Sequence, residues 1–233
     1  MQEIFKSTEV NDMILSVSRR TDIPNYYADW FFQRIKEGFL YVRNPMNAHQ
    51  ISRIELSPEV VDCIVFWTKN PAGMLDRLDE LKGYPFYFQF TLTGYGKDVE
   101  PELPDKEKEL IPVFRKLSEK LGAQRVIWRY DPILKNRKYT LEYHVKAFEK
   151  IAQELEGDTK RVVISFLDLY PKIRSDMNKM QIEAISNAEM LETAGRMARI
   201  AERCGMETVS CAEKNDFGSV GVKSGSCIDK ELI

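Results

Sequence analysis

The stretch VVDCIVFW at residues 60–67 gives the strongest indication of the fold. It is an almost continuous run of apolar, β-branched and aromatic residues, which is typical of a strand buried in a parallel sheet. A proline at position 71 opens the following segment, and residues 71–82 are predicted to form a helix. A buried strand followed by a helix is the building unit of α/β proteins.

The same alternation of strand and helix runs along the chain from residue 13 to residue 211. Residues 39–42 and 51–56 look extended and are predicted to form a hairpin-like insert. About six β/α units in one order imply a mostly parallel sheet with helices packed outside it. The further strands are predicted at residues 13–18, 86–92, 125–130, 161–167 and 207–211, and the further helices at residues 26–36, 104–121, 140–156 and 181–204.

Two architectures fit this order: a (β/α) barrel, complete or partial, and a doubly wound open sheet. No predicted strand is followed by a GxGxxG or Walker A loop, so the glycine-rich turns of the commonest open-sheet nucleotide folds are missing. We therefore predict an α/β fold with a parallel (β/α) barrel that is partial and has six units. The barrel domain is predicted over residues 1–212. Residues 213–233 are short of apolar residues and rich in Gly, Ser and Lys, which predicts an irregular tail.

The composition limits the classes of partner. The chain has 233 residues and a net charge of −2, so it has no general attraction to nucleic acid or to an anionic membrane. No apolar run approaches the roughly 18–20 residues that a membrane span needs, and the polar, acidic start does not resemble a signal peptide. We therefore expect a cytoplasmic protein whose four cysteines are reduced and form no CxxC motif.

Polar side chains cluster where each predicted strand ends. Because chemistry in parallel β/α folds gathers at the C-terminal ends of the strands, we expect these side chains to share one rim. Any one cluster alone is better explained by a turn, a helix cap or an ion pair. Together they resemble a pocket that offers Arg and Lys to an anionic ligand and carboxylates to amines or hydroxyls. The candidate ligand-binding residues are Arg19, Arg20, Asp22, Asn70, Gln89, Thr91, Glu100, Arg129, Ser165 and Asp168, and the candidate catalytic residues are Lys69, Asp131 and Glu213.

Histidine and cysteine give weaker indications. His49 and His144 are far apart in the sequence, so no histidine-based metal set is visible and each is expected to have a structural or surface role. Two of the cysteines lie in a predicted strand and near a helix end, where small core residues are expected. Cys211 closes a strand at the rim and Cys227 lies in a Gly/Ser loop, so this pair is a candidate for metal ligation or redox chemistry.

Several of the strand-end strings occur together in one known family. They are SVSRRTDIP, FWTKNP, FTLTGYG, WRYDPI, VISFLDLYPK, SCAE and GSCID. In this order they resemble an uncharacterised bacterial family, the domain of unknown function DUF1848, over residues 13–233. The resemblance is specific because the strings are moderately long and keep the family's order.

The resemblance implies a particular chemistry. Members of the family usually continue with a cysteine cluster similar to the CxxxCxxC motif of radical S-adenosylmethionine (SAM) enzymes, whose core is a six-unit partial (β/α) barrel. Three further features resemble the spore-photoproduct-lyase branch of those enzymes. They are the strand end Thr68-Lys69, the pair Glu100-Pro101 and the R-x-DP strand end at residues 129–132. The full-length family is thus expected to use a [4Fe–4S] cluster and SAM, and residues 213–233 to begin the cysteine-rich segment. This sequence contains no CxxxCxxC, so the chain alone supports neither cofactor.

The resemblance also implies roles for the strand-end residues. They are binding of SAM or substrate by Lys69, Arg129 and Asp131, binding of polar groups by Glu100 and Glu213, and an auxiliary iron–sulfur site at Cys211 and Cys227.

Two other classes of function remain open. A cluster-independent barrel hydrolase or lyase would act on a phosphorylated or carboxylated metabolite in the mouth of the barrel, since barrels host many chemistries. The other class is a binding or regulatory module without catalysis, with nucleic acid as the ligand to consider. The net charge of −2 argues against nucleic acid, because positive charge on the protein supplies most non-specific affinity for phosphates. For the hydrolase or lyase, the candidate general bases are Asp131, Asp168 and Glu213, and the candidate anion-binding residues are Arg19, Lys69 and Arg129.

Overall fold

The computed structural model describes residues 13–17, 21–44, 46–167, 179–211, 216–229 and 232–233. Arg19, Arg20, Asp168 and Glu213, all candidates from the sequence, therefore lie outside the described residues. The strands in the described part are β1 Met13–Val17, β2 Phe39–Asn44, β3 Asn47–Glu55, β4 Val61–Thr68, β5 Phe86–Thr91, β6 Val126–Ile133, β7 Arg161–Phe166, β8 Glu207–Cys211 and β9 Lys223–Gly225.

One parallel sheet organises the fold. It has seven strands in the order β1-β4-β5-β6-β7-β8-β9, and each strand is parallel to its neighbours. The sheet curls into a half barrel, so the predicted parallel α/β architecture is confirmed in this coarser form. Strands β2 and β3 pair antiparallel and form the predicted hairpin insert outside the sheet.

The seventh strand comes from the segment that the sequence predicts to be an irregular tail. Residues 223–225 carry no alternation of apolar and polar side chains, so the periodic pattern of a strand is missing there. Strand β9 forms because β8 offers it a free edge, and the register pairs Val209 with Lys223 and Cys211 with Gly225. The tail thereby extends the sheet.

Helices connect the strands. None of those in the described part of the chain combines the length and the hydropathy that crossing a bilayer requires. They are α1 Ile23–Tyr26, α2 Ala28–Glu37, a 3-10 helix at Ala72–Leu81, a π-helical turn at Lys106–Leu110 that continues into α3 Ile111–Leu121, α4 Leu141–Glu154, α5 Asn187–Arg203 and a 3-10 turn at Gly218–Val220.

Two helical predictions differ from the structure. The helix predicted over residues 181–204 begins only at Asn187, because Ser186 caps it and the Glu189 side chain completes a capping box. Near the start of the chain, Trp30 falls at core spacing in the sequence but is 45% exposed. The helix starts anew after a break at Tyr27, which turns Phe31 and Phe32 toward the sheet instead.

The two faces of the sheet have different roles. Alternate strand residues such as Phe66, Phe88 and Trp128 point outward and form the main core with the helices. The opposite, concave face carries a second apolar cluster, which we call the inner cluster. It is covered by Ile228 and Leu232 of the tail. The inner cluster consists of Cys63, Val65, Tyr87, Ile127, Val163, Val209 and Cys211.

Candidate functional site

Strand alternation brings several predicted site residues to one place. Side chains two positions apart on a strand point to the same face. Gln89, Arg129 and Ser165 each follow a member of the inner cluster by two positions, and they therefore lie on the concave face toward the C-terminal ends of the strands. We call Trp67, Gln89, Arg129, Asp131 and Ser165 the inner rim.

Arg129 is the centre of the inner rim. Its Nε and Nη2 donate to Asp131 Oδ2 at 3.0 and 2.5 Å, and Nη1 donates to Gln89 Oε1 at 2.6 Å. The guanidinium carbon lies 4.9 Å from the centre of the Trp67 ring, which adds a cation–π contact. Burial acts to lower the pKa of Arg129, but the Asp131 carboxylate outweighs it and the pKa is raised. Arg129 thus stays charged, and the Asp131 carboxylate balances this charge within the inner rim.

Asp131 and Gln89 connect Arg129 to other elements. The Ser165 hydroxyl of β7 donates to Asp131 Oδ1, so both carboxylate oxygens have a partner. Gln89 Nε2 donates to the backbone oxygen of Cys227 at 2.7 Å, which ties the rim to the tail. Charge-assisted and bidentate hydrogen bonds of this kind fix side-chain geometry.

A second cluster lies beyond the end of β4, and we call Lys69, Glu100 and Lys106 the lysine cluster. Lys69 Nζ donates to Glu100 Oε1 at 2.5 Å, while Lys106 Nζ and the Thr93 hydroxyl donate to Oε2. Burial raises the pKa of Glu100, but the two ammonium groups outweigh it and the pKa is lowered. Because two lysines share one carboxylate, the cluster has a net charge of +1.

The two lysines of this cluster differ in what they can do. Lys106 is largely buried and also donates to the backbone oxygens of Thr93 at 2.8 Å and Tyr95 at 2.5 Å. Burial lowers its pKa, and Glu100 partly opposes this effect. The side chain of Lys69 is 43% exposed, so it is the more accessible positive group of the cluster. Sequence reasoning missed Lys106, because its charged surroundings (KEKEL) are typical of a solvated helix face.

Asp22 and Asn70 have structural roles in this geometry. Asp22 accepts hydrogen bonds from the Thr68 hydroxyl and the Lys69 backbone N–H, both at 2.7 Å, and it also caps α1. Burial raises the pKa of Asp22, although these hydrogen bonds oppose it. Asn70 accepts from the Ala72 N–H at 3.2 Å and so shapes the turn into the 3-10 helix. Asp22 thereby positions the backbone of Lys69. Thr91 lies half-buried at the end of β5.

The two predicted rim cysteines do meet. The sulfur atoms of Cys211 and Cys227 are 3.3 Å apart, with Cys211 buried and Cys227 exposed. The other two cysteines lie elsewhere: Cys63 is near the tail backbone at Leu232, and Cys204 ends α5 on the outer side of the sheet.

A [4Fe–4S] cluster does not fit these cysteines. Such a cluster needs three or four cysteine thiolates, and only two of the four sulfur atoms of the chain come together. Within the described residues, no three His, Cys, Asp or Glu side chains are arranged to hold a metal ion. Metal ligation by Cys211 and Cys227 stays a prediction.

The tail also borders an open cavity of about 320 Å³ against the concave face. Gln89 and Val163 line it from the sheet, and Ser226 and Asp229 line it from the tail. The backbone N–H of Asp229 donates to the Tyr87 hydroxyl at 2.9 Å, and burial raises the pKa of Tyr87 to about 12. The tail is therefore held on the inner face by polar as well as apolar contacts.

His144 has a structural role, which is one of the two roles that the sequence predicts for it. It is fully buried, its Nε2 is 2.8 Å from the backbone oxygen of Leu134, and its Nδ1 is 2.9 Å from the Tyr130 hydroxyl. Because a carbonyl can only accept, Nε2 carries the proton and Nδ1 accepts from Tyr130. Burial lowers the pKa of His144 to about 4.

These features define a class: an α/β protein with a curled, parallel half-barrel sheet, a polar inner rim and a tail packed on the concave face. The model of the family DUF1848, a domain of unknown function, matches residues 14–233, and the chain belongs to that family. Comparison with curated proteins finds no similar sequence.

Proposed function

We propose that this protein is an enzyme that binds a small anionic metabolite, phosphorylated or carboxylated, in the mouth of the half barrel and acts on it as a hydrolase or a lyase. The observation that carries the proposal is the charge of the lysine cluster. Glu100 is shared by two ammonium groups, and the Lys69 side chain is the more exposed of the two, at 43% against 19% for Lys106. This leaves one positive charge in the lysine cluster without a counter-charge, which suits an anion.

The rigidity of the site supports the same reading. Asp22 fixes the backbone of Lys69 through a 2.7 Å hydrogen bond, and Glu100 directs the Lys69 side chain. Arg129 is only 5% exposed and is held by Asp131, Gln89 and Trp67. Preorganised positive groups of this kind bind an anion without reorganising, which is the main requirement for transition-state stabilisation of a charged substrate.

Asp131 is the general base in this proposal. It is the carboxylate of the inner rim, its side chain is 22% exposed, and Oδ2 is oriented by Arg129. The Ser165 hydroxyl bonded to Oδ1 occupies the place that a substrate hydroxyl or a water would take. Proton transfer to Asp131 then accompanies bond cleavage while Lys69 holds the anionic group.

Binding of inorganic phosphate and of malonate, measured by isothermal titration calorimetry at two salt concentrations, tests the anion site. Lys69→Gln is expected to weaken binding about tenfold, the value of one charge-assisted hydrogen bond. Lys116→Gln is the matched control, because Lys116 lies on the exposed face of α3. Equal binding by wild type and Lys69→Gln would contradict the proposal.

A screen of phosphate monoesters and hydroxy acids then tests catalysis. For any substrate that is turned over, Asp131→Asn is expected to lower kcat by about 100-fold or more, as loss of a general base does. The same variant should still bind phosphate, since Lys69 and Arg129 are unchanged. A variant that keeps the wild-type rate would remove Asp131 from the mechanism.

Radical SAM chemistry is the second candidate function. The curled, open parallel sheet and the meeting of two thiols at the end of β8 favour it. The cysteines of this chain do not form a three-thiolate set, so the candidate depends on ligands other than these four residues. Anaerobic reconstitution with iron and sulfide is the test: a broad visible absorption band and SAM cleavage on reduction support it, and the lack of both counts against it. A nucleic-acid ligand has less support, because the net charge is −2.

A further inference from the structure

Two thiols of this chain lie in contact where the tail joins the sheet. We propose that Cys211 and Cys227 form a reversible redox pair, and that their disulfide fastens residues 223–229 over the concave face of the half barrel. This proposal does not depend on the identity of the ligand bound at the rim.

The geometry places the pair in reach of a bond. The sulfur atoms are 3.3 Å apart, and a disulfide needs them at about 2.05 Å, a shift of little more than 1 Å. Parallel pairing sets Gly225 beside Cys211, and Cys227 follows two residues later. The 2.7 Å hydrogen bond from Gln89 to the Cys227 backbone oxygen holds the second thiol in this position. The disulfide can therefore form without a large movement of the chain.

The two thiols have complementary environments. Cys227 is exposed and can be reached by an oxidant from solvent, whereas Cys211 is buried behind it. Burial raises the pKa of the Cys211 thiol, and the Arg129 guanidinium partly opposes this. Redox-sensing pairs have this arrangement: the exposed thiol reacts with the oxidant, and the neighbouring thiol then displaces the adduct by forming a disulfide.

The chemistry is balanced with a small-molecule disulfide as oxidant. The Cys227 thiolate attacks glutathione disulfide, which forms a mixed disulfide and releases one glutathione thiolate. The Cys211 thiolate then attacks the Cys227 sulfur and releases the second glutathione. Two protein thiols are oxidised to one disulfide, one glutathione disulfide is reduced to two thiols, and the two protons pass to the released thiolates.

The consequence lies in the cavity of about 320 Å³ under the tail. Its walls include Ser226 and Asp229, the residues on either side of Cys227 and Ile228. A disulfide at Cys227 fixes this wall to β8. Reduction leaves the wall held by hydrogen bonds, by packing and by the ion pairs of Lys223 with Glu207 and of Asp229 with Arg161. Access to the concave face thereby becomes dependent on the redox state.

Treatment of the reduced full chain with glutathione disulfide tests the pair. Wild type is expected to lose two free thiols without gaining the mass of glutathione, and peptide mapping should join residues 211 and 227. Cys211→Ser should instead keep a stable glutathione adduct on Cys227, and Cys227→Ser should react little. Cys204→Ser is the matched control, because Cys204 lies on the outer side of the sheet, and it should behave as wild type.

Hydrogen exchange provides the conformational readout. Amides of residues 223–229 are expected to exchange at least tenfold more slowly in oxidised than in reduced wild type, with no such difference in Cys227→Ser. A persistent glutathione adduct on wild type, or a disulfide that joins other cysteines, would overturn the pairing. Unchanged exchange despite the mapped disulfide would overturn the fastening of the tail. The peptide map of wild type needs no variant, so poor folding of a variant leaves the test intact.

Discussion

Replacing His144 with glutamine is expected to remove a component of stability that wild type loses in mild acid. The neutral imidazole is buried and hydrogen-bonded to Leu134 and Tyr130, and its pKa is about 4 in the fold against 6.5 for an ordinary histidine. A depressed pKa means that the folded state resists protonation. This contribution is complete above pH 6.5 and is lost as the pH falls toward 4.

The structure gives the size of the effect. The pKa difference corresponds to about 3 kcal/mol in total, and about 2 kcal/mol of it is lost between pH 7 and pH 5. The tyrosines packed around the ring add no charge in this range, because burial raises the pKa of both Tyr95 and Tyr130. The titration of His144 therefore dominates this part of the interior.

Urea unfolding at pH 7 and at pH 5 measures the effect. The difference in unfolding free energy between wild type and His144→Gln should shrink by about 2 kcal/mol at the lower pH, since only wild type loses this component. His49→Gln is the control for the loss of a histidine, because His49 lies exposed on the β2–β3 hairpin. Parallel pH profiles for wild type and His144→Gln would refute the reasoning.

Three further changes test the scaffold by urea unfolding. Ser186→Ala should lower the unfolding free energy by about 1 kcal/mol, the value of a helix N-cap, and Ser186→Asp should retain most of it. Trp128→Ala should cost about 3–5 kcal/mol, because the indole is fully buried and donates to the Leu92 backbone oxygen at 2.8 Å. Asp22→Asn should cost about 2 kcal/mol, because an amide N–H₂ then faces the backbone N–H of Lys69; an unchanged stability would contradict this anchoring role.

Much of the sheet is predictable from the sequence because buried parallel strands leave a strong local pattern. The runs that became β4, β5 and β6 are apolar on both faces, and the structure places them within a few residues of the prediction. The start of α5 has an equally local signal in Ser186 and Glu189, three residues apart. Its late start could therefore have been read from the sequence, whereas the exposure of Trp30 depends on the break before α2.

The site is only partly predictable, because its partners are distant in the sequence. Gln89, Arg129 and Asp131 follow from strand alternation, and the structure brings them together. Lys106 reaches Glu100 from a helix start whose composition resembles a solvated surface. The backbone oxygen of Cys227 accepts a hydrogen bond from Gln89, which lies far away in the chain. No periodic pattern in the sequence predicts such a contact.

The cover that Ile228 and Leu232 place over the inner cluster affects the order of events during biosynthesis. A ribosome releases these residues after all the strands that they cover, so Val65 and Tyr87 stay open to water until translation has passed residue 232. Until then the concave face of the nascent chain exposes an apolar surface, of the kind that molecular chaperones bind. A stop codon ahead of residue 228 should therefore produce an aggregation-prone polypeptide even though the parallel sheet upstream is intact.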